Sequence, residues 1–497
     1  MASSVCLRCL ARPLPTGLPS RVLVAPLTAS NGFSTTASKS AKPAKSIPKK
    51  KAVNPTRASR GGTGTFAFTR KGRQAGGGGS NRRDLAALKA QRKRIVLSNI
   101  NALEVPELKE LTIENTTTVG EVLTLSNGSI DALRAAEAFK HNQGWSLFRR
   151  PSTLITQQTR DVASVVQTIS RDKSTRREII SGEKASGKSV LALQAMTFAF
   201  QQGWVVIHIP EAQDLALSHT TYSPVRSGSE TLYTQPEYLS ALLSRISKSS
   251  PNLSTLTISK SHSLPIPVQP NTSLSRLCDL GASDPAIAPP IFTALLSELL
   301  SPSSSDHPRP PLLFTLDGLP HITRLTAYLN PSSKRIHGFD LTLIRSFIDL
   351  LSGKTGLPNG GLILGIDSAS NRPSVPALDY MIEERLQKQA EPAQLESPTT
   401  TNASETSVSE PQVQHKRPFT DPYADPDSRT TDALKDVYVR QMQGLSKQET
   451  KGVMEYYARS GILRGKVDER SVAEAWTLGG GGIVGEVEEA LVKLRVL

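Results

Sequence analysis

The sequence feature that most constrains the fold is a glycine-rich segment in the second quarter of the chain. It matches the pattern G-x-x-x-x-G-K-[ST] and consists of Gly182, Glu183, Lys184, Ala185, Ser186, Gly187, Lys188 and Ser189. The two glycines remove Cβ atoms that would obstruct the backbone, so N–H groups can surround a phosphate. The pattern therefore predicts a phosphate-binding loop in which Lys188 contacts the β- and γ-phosphates and Ser189 ligates Mg²⁺.

The surroundings of this segment predict an α/β fold. A short strand, 178–181, precedes the loop, and a helical pattern over 190–200 follows it. Three further apolar runs, Trp204–Ile209, Leu312–Leu316 and Leu362–Ile366, are typical of parallel strands covered on both faces. We expect the fold of a P-loop NTPase, in which helices cover both faces of a parallel sheet.

The apolar run Leu312–Leu316 is followed directly by a carboxylate, Asp317. A phosphate-binding loop needs a second acidic group near the metal, so we expect Asp317 to act with Ser189 at the Mg²⁺ site. Many hydrolysing members of the additional-strand ATPase class carry a glutamate at the next position to polarise water. Gly318 stands there instead, so we expect hydrolysis to be slow or absent.

The apolar run Leu362–Ile366 is followed by Asp367 and Ser368. Polar groups at this place can sense the γ-phosphate, and Ser368 is a candidate for that role beside the alternative of a simple turn. The sequence contains no [NT]-K-x-D motif for reading guanine. The expected cofactor is therefore GTP or ATP, or the diphosphate, with Mg²⁺.

Basic charge is concentrated at the N-terminus. Of the 59 Lys and Arg residues, sixteen lie in 1–83, where there is no Asp or Glu, so the remaining 43 nearly balance the 44 acidic residues. Residues 1–36 have the composition of a mitochondrial presequence, and 37–83 that of a disordered basic arm. Phe66 and Phe68 lie among basic residues, which suits RNA binding or a solvated linker equally well.

The rest of the chain is long enough for two or three folded units. We expect an N-terminal wrapping segment over 84–150 and a nucleotide-binding domain over 151–390 with an insertion at about 215–305. A disordered Ser/Thr/Glu/Pro-rich linker follows over 391–417. Residues 418–497 form a small C-terminal lid, helical or winged-helix-like, in which a capping box at Ser446–Glu449 begins a helix.

Two classes of protein are excluded by composition: proteins stabilised by a disulfide framework and proteins that span a membrane. The three cysteines, Cys6, Cys9 and Cys278, provide no disulfide framework, and Cys6 and Cys9 have no second pair at zinc spacing. No apolar run reaches the length that is needed to cross a bilayer. We therefore expect no membrane span.

Several segments together resemble a known family. Besides the glycine-rich loop, they are Gln202–Ala212 with Asp317-Gly318, flanked by Arg150-Pro151, Leu232-Tyr233, Gln235-Pro236 and Tyr456–Gly461. They are similar to the death-associated, GTP-binding protein family of the small mitochondrial ribosomal subunit, in its fungal form. The resemblance covers roughly residues 145–390 and 418–497.

The resemblance implies a structural protein of the mitochondrial matrix on an AAA-like fold. Its partners would be the small-subunit rRNA, ribosomal proteins and, through intersubunit bridges, the large subunit. It also implies that Lys188 and Ser189 bind phosphate and metal and that Asp317 binds the metal. Two alternatives remain: an active AAA-like ATPase or GTPase that remodels a partner, and an RNA-binding scaffold with an empty loop.

Overall fold

The computed structural model describes residues 95–228, 230–369, 371–394 and 427–492. The predicted presequence and basic arm lie outside these residues. Of the predicted linker, 391–394 form the last turn of a helix, and the remainder lies outside the described residues.

Helices and strands alternate along the described chain. The helices are α1 Asn127–Ala135, α2 Gln157–Asp172, α3 Lys188–Gln201, α4 Gln213–Ala216, α5 Pro236–Ser249, α6 Leu274–Ser283, α7 Ala288–Leu299, α8 Thr342–Leu351, α9 Pro376–Gln394, α10 Ser428–Leu434, α11 Lys447–Arg459, α12 Glu469–Leu478 and α13 Val484–Val492. The strands are β1 Val122–Thr124, β2 Ser152–Leu154, β3 Thr175–Gly182, β4 Val205–Ile209, β5 Ser223–Ser227, β6 Glu230–Thr234, β7 Leu312–Asp317, β8 Leu325–Leu329, β9 Arg335–His337, β10 Gly361–Ile366 and β11 Tyr438–Met442.

Five of these strands form one parallel sheet in the order β11-β3-β10-β7-β4. The register pairs Gly361 of β10 with Thr175 of β3 on one side and with Leu312 of β7 on the other. The four strands that the sequence predicts are all present, each within a few residues of the predicted bounds. Because the strands are parallel, the carboxyl ends of β3, β4, β7 and β10 lie along the same edge of the sheet.

Both faces of the sheet are buried, as the continuous apolar runs predict. Successive residues of one strand enter two different clusters: Ile179 packs with α5 to α9, whereas Ile180 packs with α2 and α3. Phe314 and Leu313 of β7 divide in the same way. The prediction of an α/β fold with helices on both faces of a parallel sheet is therefore confirmed.

The residues before the sheet form a compact N-terminal segment. β1 and β2 pair antiparallel, and α1 packs against α3 and α5. Trp145 is buried and meets Phe139 edge-on, with ring centroids 5.2 Å apart. These contacts place the loop at residues 140–145 beside the carboxyl edge of the sheet.

The C-terminal region contributes a strand that sequence analysis did not predict. β11 pairs with β3 and forms one edge of the sheet. The predicted capping box is confirmed, since the Ser446 hydroxyl accepts from Glu449 N and the Glu449 carboxylate accepts from Ser446 N. Beyond β11 the described residues contain α11, α12 and α13 and no strand. Among the described residues, no helix is both long enough and apolar enough to cross a bilayer.

Candidate functional site

A cavity of about 1000 Å³ lies at the carboxyl edge of the sheet. The glycine-rich loop and the residues after β4, β7 and β10 line one part of it, and the N-terminal segment and α11 to α13 line the rest. Parallel sheets bind ligands outside the carboxyl ends of their strands. The cavity is therefore the candidate site.

The glycine-rich loop connects β3 to α3 as the sequence predicts. Gly182 has a φ of +140° and Gly187 a φ of +94°, both in the region that favours glycine. A Cβ on Gly182 would lie 2.8 Å from the carbonyl oxygen of Met442, so β11 also requires glycine here. Glu183, Lys184 and Ala185 are exposed at the loop's crest. The loop therefore has the backbone freedom that the motif requires.

Lys188 begins α3 and is buried, with 5% of its surface exposed. Its Nζ donates to the carbonyl oxygens of Gly182 at 2.6 Å and Glu183 at 2.5 Å, so the loop curls around the ammonium. Burial lowers the pKa of Lys188, while the nearby carboxylates of Asp367 and Asp317 act in the opposite direction. A phosphate would supply the full counter-charge that these carbonyls lack.

Ser189 and Asp317 come together although 128 residues separate them. The Ser189 hydroxyl donates to Asp317 Oδ2 at 2.7 Å. Asp317 is 2% exposed, and its Oδ1 has no hydrogen-bond partner among the described residues. A hydroxyl beside a buried carboxylate with a bare oxygen is a donor set that fits Mg²⁺, which prefers oxygen ligands.

Lys140 also reaches Asp317, which no sequence pattern predicted. Its Nζ forms an ion pair with Asp317 Oδ2, the same oxygen that accepts from Ser189. Lys140 belongs to the loop after α1, 177 residues before Asp317. No local motif marks such a residue, since only the packing of the N-terminal segment on the sheet brings it to the site.

The residues after β10 occupy the neighbouring part of the edge. Asp367 is buried, accepts from the Ser181 hydroxyl at 3.1 Å and pairs with Arg372 Nε at 2.7 Å. Ser368 lines the cavity, and its backbone N donates to Ile366 O at 3.1 Å. Ser368 is thus placed where it can face a phosphate, and Asp367 braces the turn that holds it.

Gly318 directly follows the Asp317 carboxylate and has a φ of +97°. Two titratable residues that sequence analysis did not select, Glu211 and His321, line the cavity nearby. Burial lowers the pKa of His321, and the charge of Arg324 lowers it further. The imidazole is therefore mainly neutral at pH 7 and above.

Aromatic rings also line the cavity. Phe148 and Tyr457 lie with centroids 5.1 Å apart, and Trp145 and Trp476 are further lining residues. Burial and the charge of Glu488 raise the pKa of Tyr457 well above its ordinary value, so its hydroxyl stays protonated. A cavity lined by both aromatic rings and polar groups suits a nucleotide, whose base is aromatic and whose phosphates are charged.

Comparisons with known proteins identify the family of the chain. Residues 153–490 match the family described as mitochondrial ribosomal death-associated protein 3. The small ribosomal subunit protein mS29 of Neurospora crassa is 38% identical over 497 residues, which cover 99% of this chain and 98% of the relative. The protein mS29 of Schizosaccharomyces pombe is 25% identical over 337 residues, 66% of this chain and 62% of the relative. The chain therefore belongs to the mS29 family of mitochondrial small-subunit ribosomal proteins, which confirms both the resemblance and the predicted location in the mitoribosome of the matrix.

Proposed function

We propose that this structural protein of the small mitoribosomal subunit holds a purine nucleoside triphosphate, GTP or ATP, or its diphosphate, with Mg²⁺, and turns it over slowly or not at all. The observation that carries the proposal is the junction of Ser189 and Asp317. A hydroxyl and a carboxylate from distant parts of the chain meet at 2.7 Å, beside a buried loop lysine and a bare carboxylate oxygen.

The order of the strands supports an AAA-like P-loop class. β10 lies between β3, which leads into the loop, and β7, which ends in Asp317. The additional-strand class is named for a strand inserted at this place. The helices α11 to α13 then serve as the lid, because they contribute residues to the lining of the cavity.

In this site the chain's own residues bind and orient the nucleotide. The backbone of 182–189 and the N-terminus of α3 surround the phosphates, and Lys188 neutralises them. Ser189 and Asp317 hold the metal, and Ser368 faces the terminal phosphate. Mg²⁺ would supply charge neutralisation between phosphate oxygens and Asp317.

The proposal assigns the nucleotide a structural role. The loop, the Asp317 strand, the N-terminal segment and the C-terminal helices all border the cavity. A ligand that binds only the folded state stabilises it, so a bound nucleotide would hold these four parts in one arrangement. The outer surface of the folded domain would then contact the small-subunit rRNA and ribosomal proteins, and the large subunit through intersubunit bridges.

Active remodelling of a partner is less consistent with the site. An AAA-like ATPase needs a carboxylate base after Asp317, and Gly318 provides none. Its φ of +97° disfavours any residue with a side chain. Nucleotide retention therefore fits the site better than rapid turnover.

The test compares two lysines of the same loop in full-length protein. Lys188 is buried at the start of α3, whereas Lys184 is exposed. We expect Lys188→Ala to reduce both bound nucleotide and the fraction of protein that sediments with the small subunit on a sucrose gradient. Lys184→Ala should leave both near wild type. Normal assembly of Lys188→Ala with no bound nucleotide would refute the structural role.

A further inference from the structure

The position of Lys140 has a consequence for how the site handles its metal. Asp317 is almost fully buried and therefore needs a positive partner, because a buried unpaired charge is strongly unfavourable. In the structure that partner is the Lys140 ammonium, whose side chain is 21% exposed. It contacts Oδ2, the oxygen that also accepts from Ser189, the second residue of the proposed metal site.

The backbone around Lys140 is fixed independently of its side chain. Lys140 N donates to Gln143 Oε1 at 3.0 Å, and the same oxygen accepts from Trp145 Nε1 at 2.6 Å. Trp145 is buried against Phe139. The flexible four-carbon stem can therefore move its ammonium within the cavity while the loop stays in place.

We propose that Lys140 is a counter-ion built into the chain, which neutralises Asp317 when Mg²⁺ is absent and leaves it when Mg²⁺ and nucleotide bind. This inference rests on the nucleotide function proposed above. Two cations held by one buried carboxylate repel each other, even when Mg²⁺ binds Oδ1 and the ammonium binds Oδ2. Lys140 and Mg²⁺ therefore compete for Asp317, and the displaced ammonium remains available to the phosphates in the same cavity.

Electrostatics sets the size of the effect. Two unit charges about 5 Å apart still interact strongly at an effective dielectric of about 20. Without Lys140, a metal-free nucleotide would face the uncompensated charge of Asp317. Its affinity should then fall at least about tenfold, which corresponds to 1.4 kcal/mol. Affinity for the metal should rise, because its competitor is gone.

The experiment measures the dissociation constants of GTP and ATP by titration calorimetry, once with Mg²⁺ and once with EDTA. For the nucleotide that binds, the ratio of the EDTA value to the Mg²⁺ value should be at least about tenfold larger in Lys140→Met than in wild type. The Mg²⁺ concentration for half-maximal binding should be lower in the variant. Lys140→Arg, which keeps the charge, should behave like wild type.

Two further variants isolate the effect. Lys109→Met removes a charge from the same N-terminal segment, but Lys109 is 62% exposed, pairs with Glu121 and does not line the cavity; its ratio should not change. In an Asp317→Asn background, Lys140→Met should have little further effect, since residues that act through one another are not additive. The double variant also removes both charges together, so it remains informative if Lys140→Met folds poorly.

The outcomes separate this inference from the proposal on which it rests. If wild type binds a nucleotide and Lys140→Met shows the same ratio of dissociation constants, the counter-ion role is wrong and the nucleotide site stands. If wild type binds neither nucleotide, even with Mg²⁺, the proposed function fails and the counter-ion role falls with it.

Discussion

Asp317 and Glu298 are both carboxylates with almost no exposed surface, yet their surroundings differ. Glu298 lies on α7, and its two oxygens accept from Ser259, His262 and Arg309, among others. Asp317 ends β7 and keeps one oxygen without a hydrogen-bond partner among the described residues. The first carboxylate is completed by the protein, and the second borders a cavity of about 1000 Å³.

The difference shows how a ligand site can be told from a structural ion pair. Leaving a buried acceptor without a hydrogen bond costs about 1–3 kcal/mol. An unpaired acceptor is therefore expected where a bound ligand supplies the missing partner or where function requires the unpaired atom. Glu298 joins the loop at 259–262 to α7 and needs no ligand. We therefore expect a substitution of Glu298 to change mainly the stability of the fold and a substitution of Asp317 to change mainly the binding of ligand.

The largest expected effect is on stability and falls on Glu298. Glu298→Gln breaks the buried pair with Arg309, so the free energy of unfolding should fall by about 3 kcal/mol. Nucleotide affinity should stay at the wild-type value. Glu121→Gln is the control, because Glu121 forms an exposed pair with Lys109 that is worth at most about 1 kcal/mol. Chemical denaturation measures both, and an equal loss of nucleotide binding would remove the distinction.

Acid gives a second signature of the same pair. Burial alone raises the pKa of Glu298, but the hydrogen bonds from Ser259, His262 and Lys260 N lower it more, from 4.5 to about 2. The folded-state pKa lies below the unfolded one. The carboxylate therefore contributes its stability above pH 4.5 and loses it as the pH falls toward 2. Denaturation across that window should show a smaller acid dependence in Glu298→Gln than in wild type.

The next effect is on the metal and falls on Asp317. Asp317→Asn removes the charge that we propose holds Mg²⁺, so the gain in nucleotide affinity on adding Mg²⁺ should shrink by about tenfold or more. Stability should change less than in Glu298→Gln. Asp349→Asn serves as control, because Asp349 lies on α8 and does not line the cavity. An unchanged Mg²⁺ dependence in Asp317→Asn would show that Asp317 is not at the metal.

The smallest expected effect tests the missing base. Gly318→Glu introduces the carboxylate that many hydrolysing members of the additional-strand ATPase class carry at this position. The φ of +97° at residue 318 disfavours a side chain, so the substitution should cost about 1–2 kcal/mol of stability. Turnover should stay far below about 1 per second, because the new Cβ would lie 3.3 Å from His321 Cδ2 and the side chain is not positioned for catalysis. Gly128→Glu is the control, since a Cβ there meets nothing within 4 Å. Rapid phosphate release by Gly318→Glu would show that only the glutamate was missing.

The sequence predicted the parts of the fold that one local signal defines. The strands β4, β7 and β10 are largely apolar runs because both of their faces are buried, and β3 could be located because the glycine-rich loop follows it directly. β11 was missed since it carries a charged residue, Arg440, whose burial depends on a pair with Glu178 of β3, 262 residues away. A single strand gives no sign that such a partner exists.

The same limit applies to the site. Lys188 and Ser189 belong to one contiguous motif, and Asp317 ends an apolar strand, so all three could be predicted. Lys140 lies in a loop without a recognisable pattern, and only the docking of the N-terminal segment brings it to Asp317. Residues that compensate a site's charge from elsewhere in the chain are therefore the ones that sequence analysis misses.

The central claim is that the chain retains its nucleotide. The most direct measurement denatures the full-length protein after purification in Mg²⁺ and identifies what is released. We expect about one purine nucleotide per chain with its phosphates largely intact, and far less from Lys188→Ala, which loses a charge-assisted contact to phosphate. Release of no nucleotide from the wild type, or turnover of added GTP or ATP at about 1 per second or faster, would contradict the account.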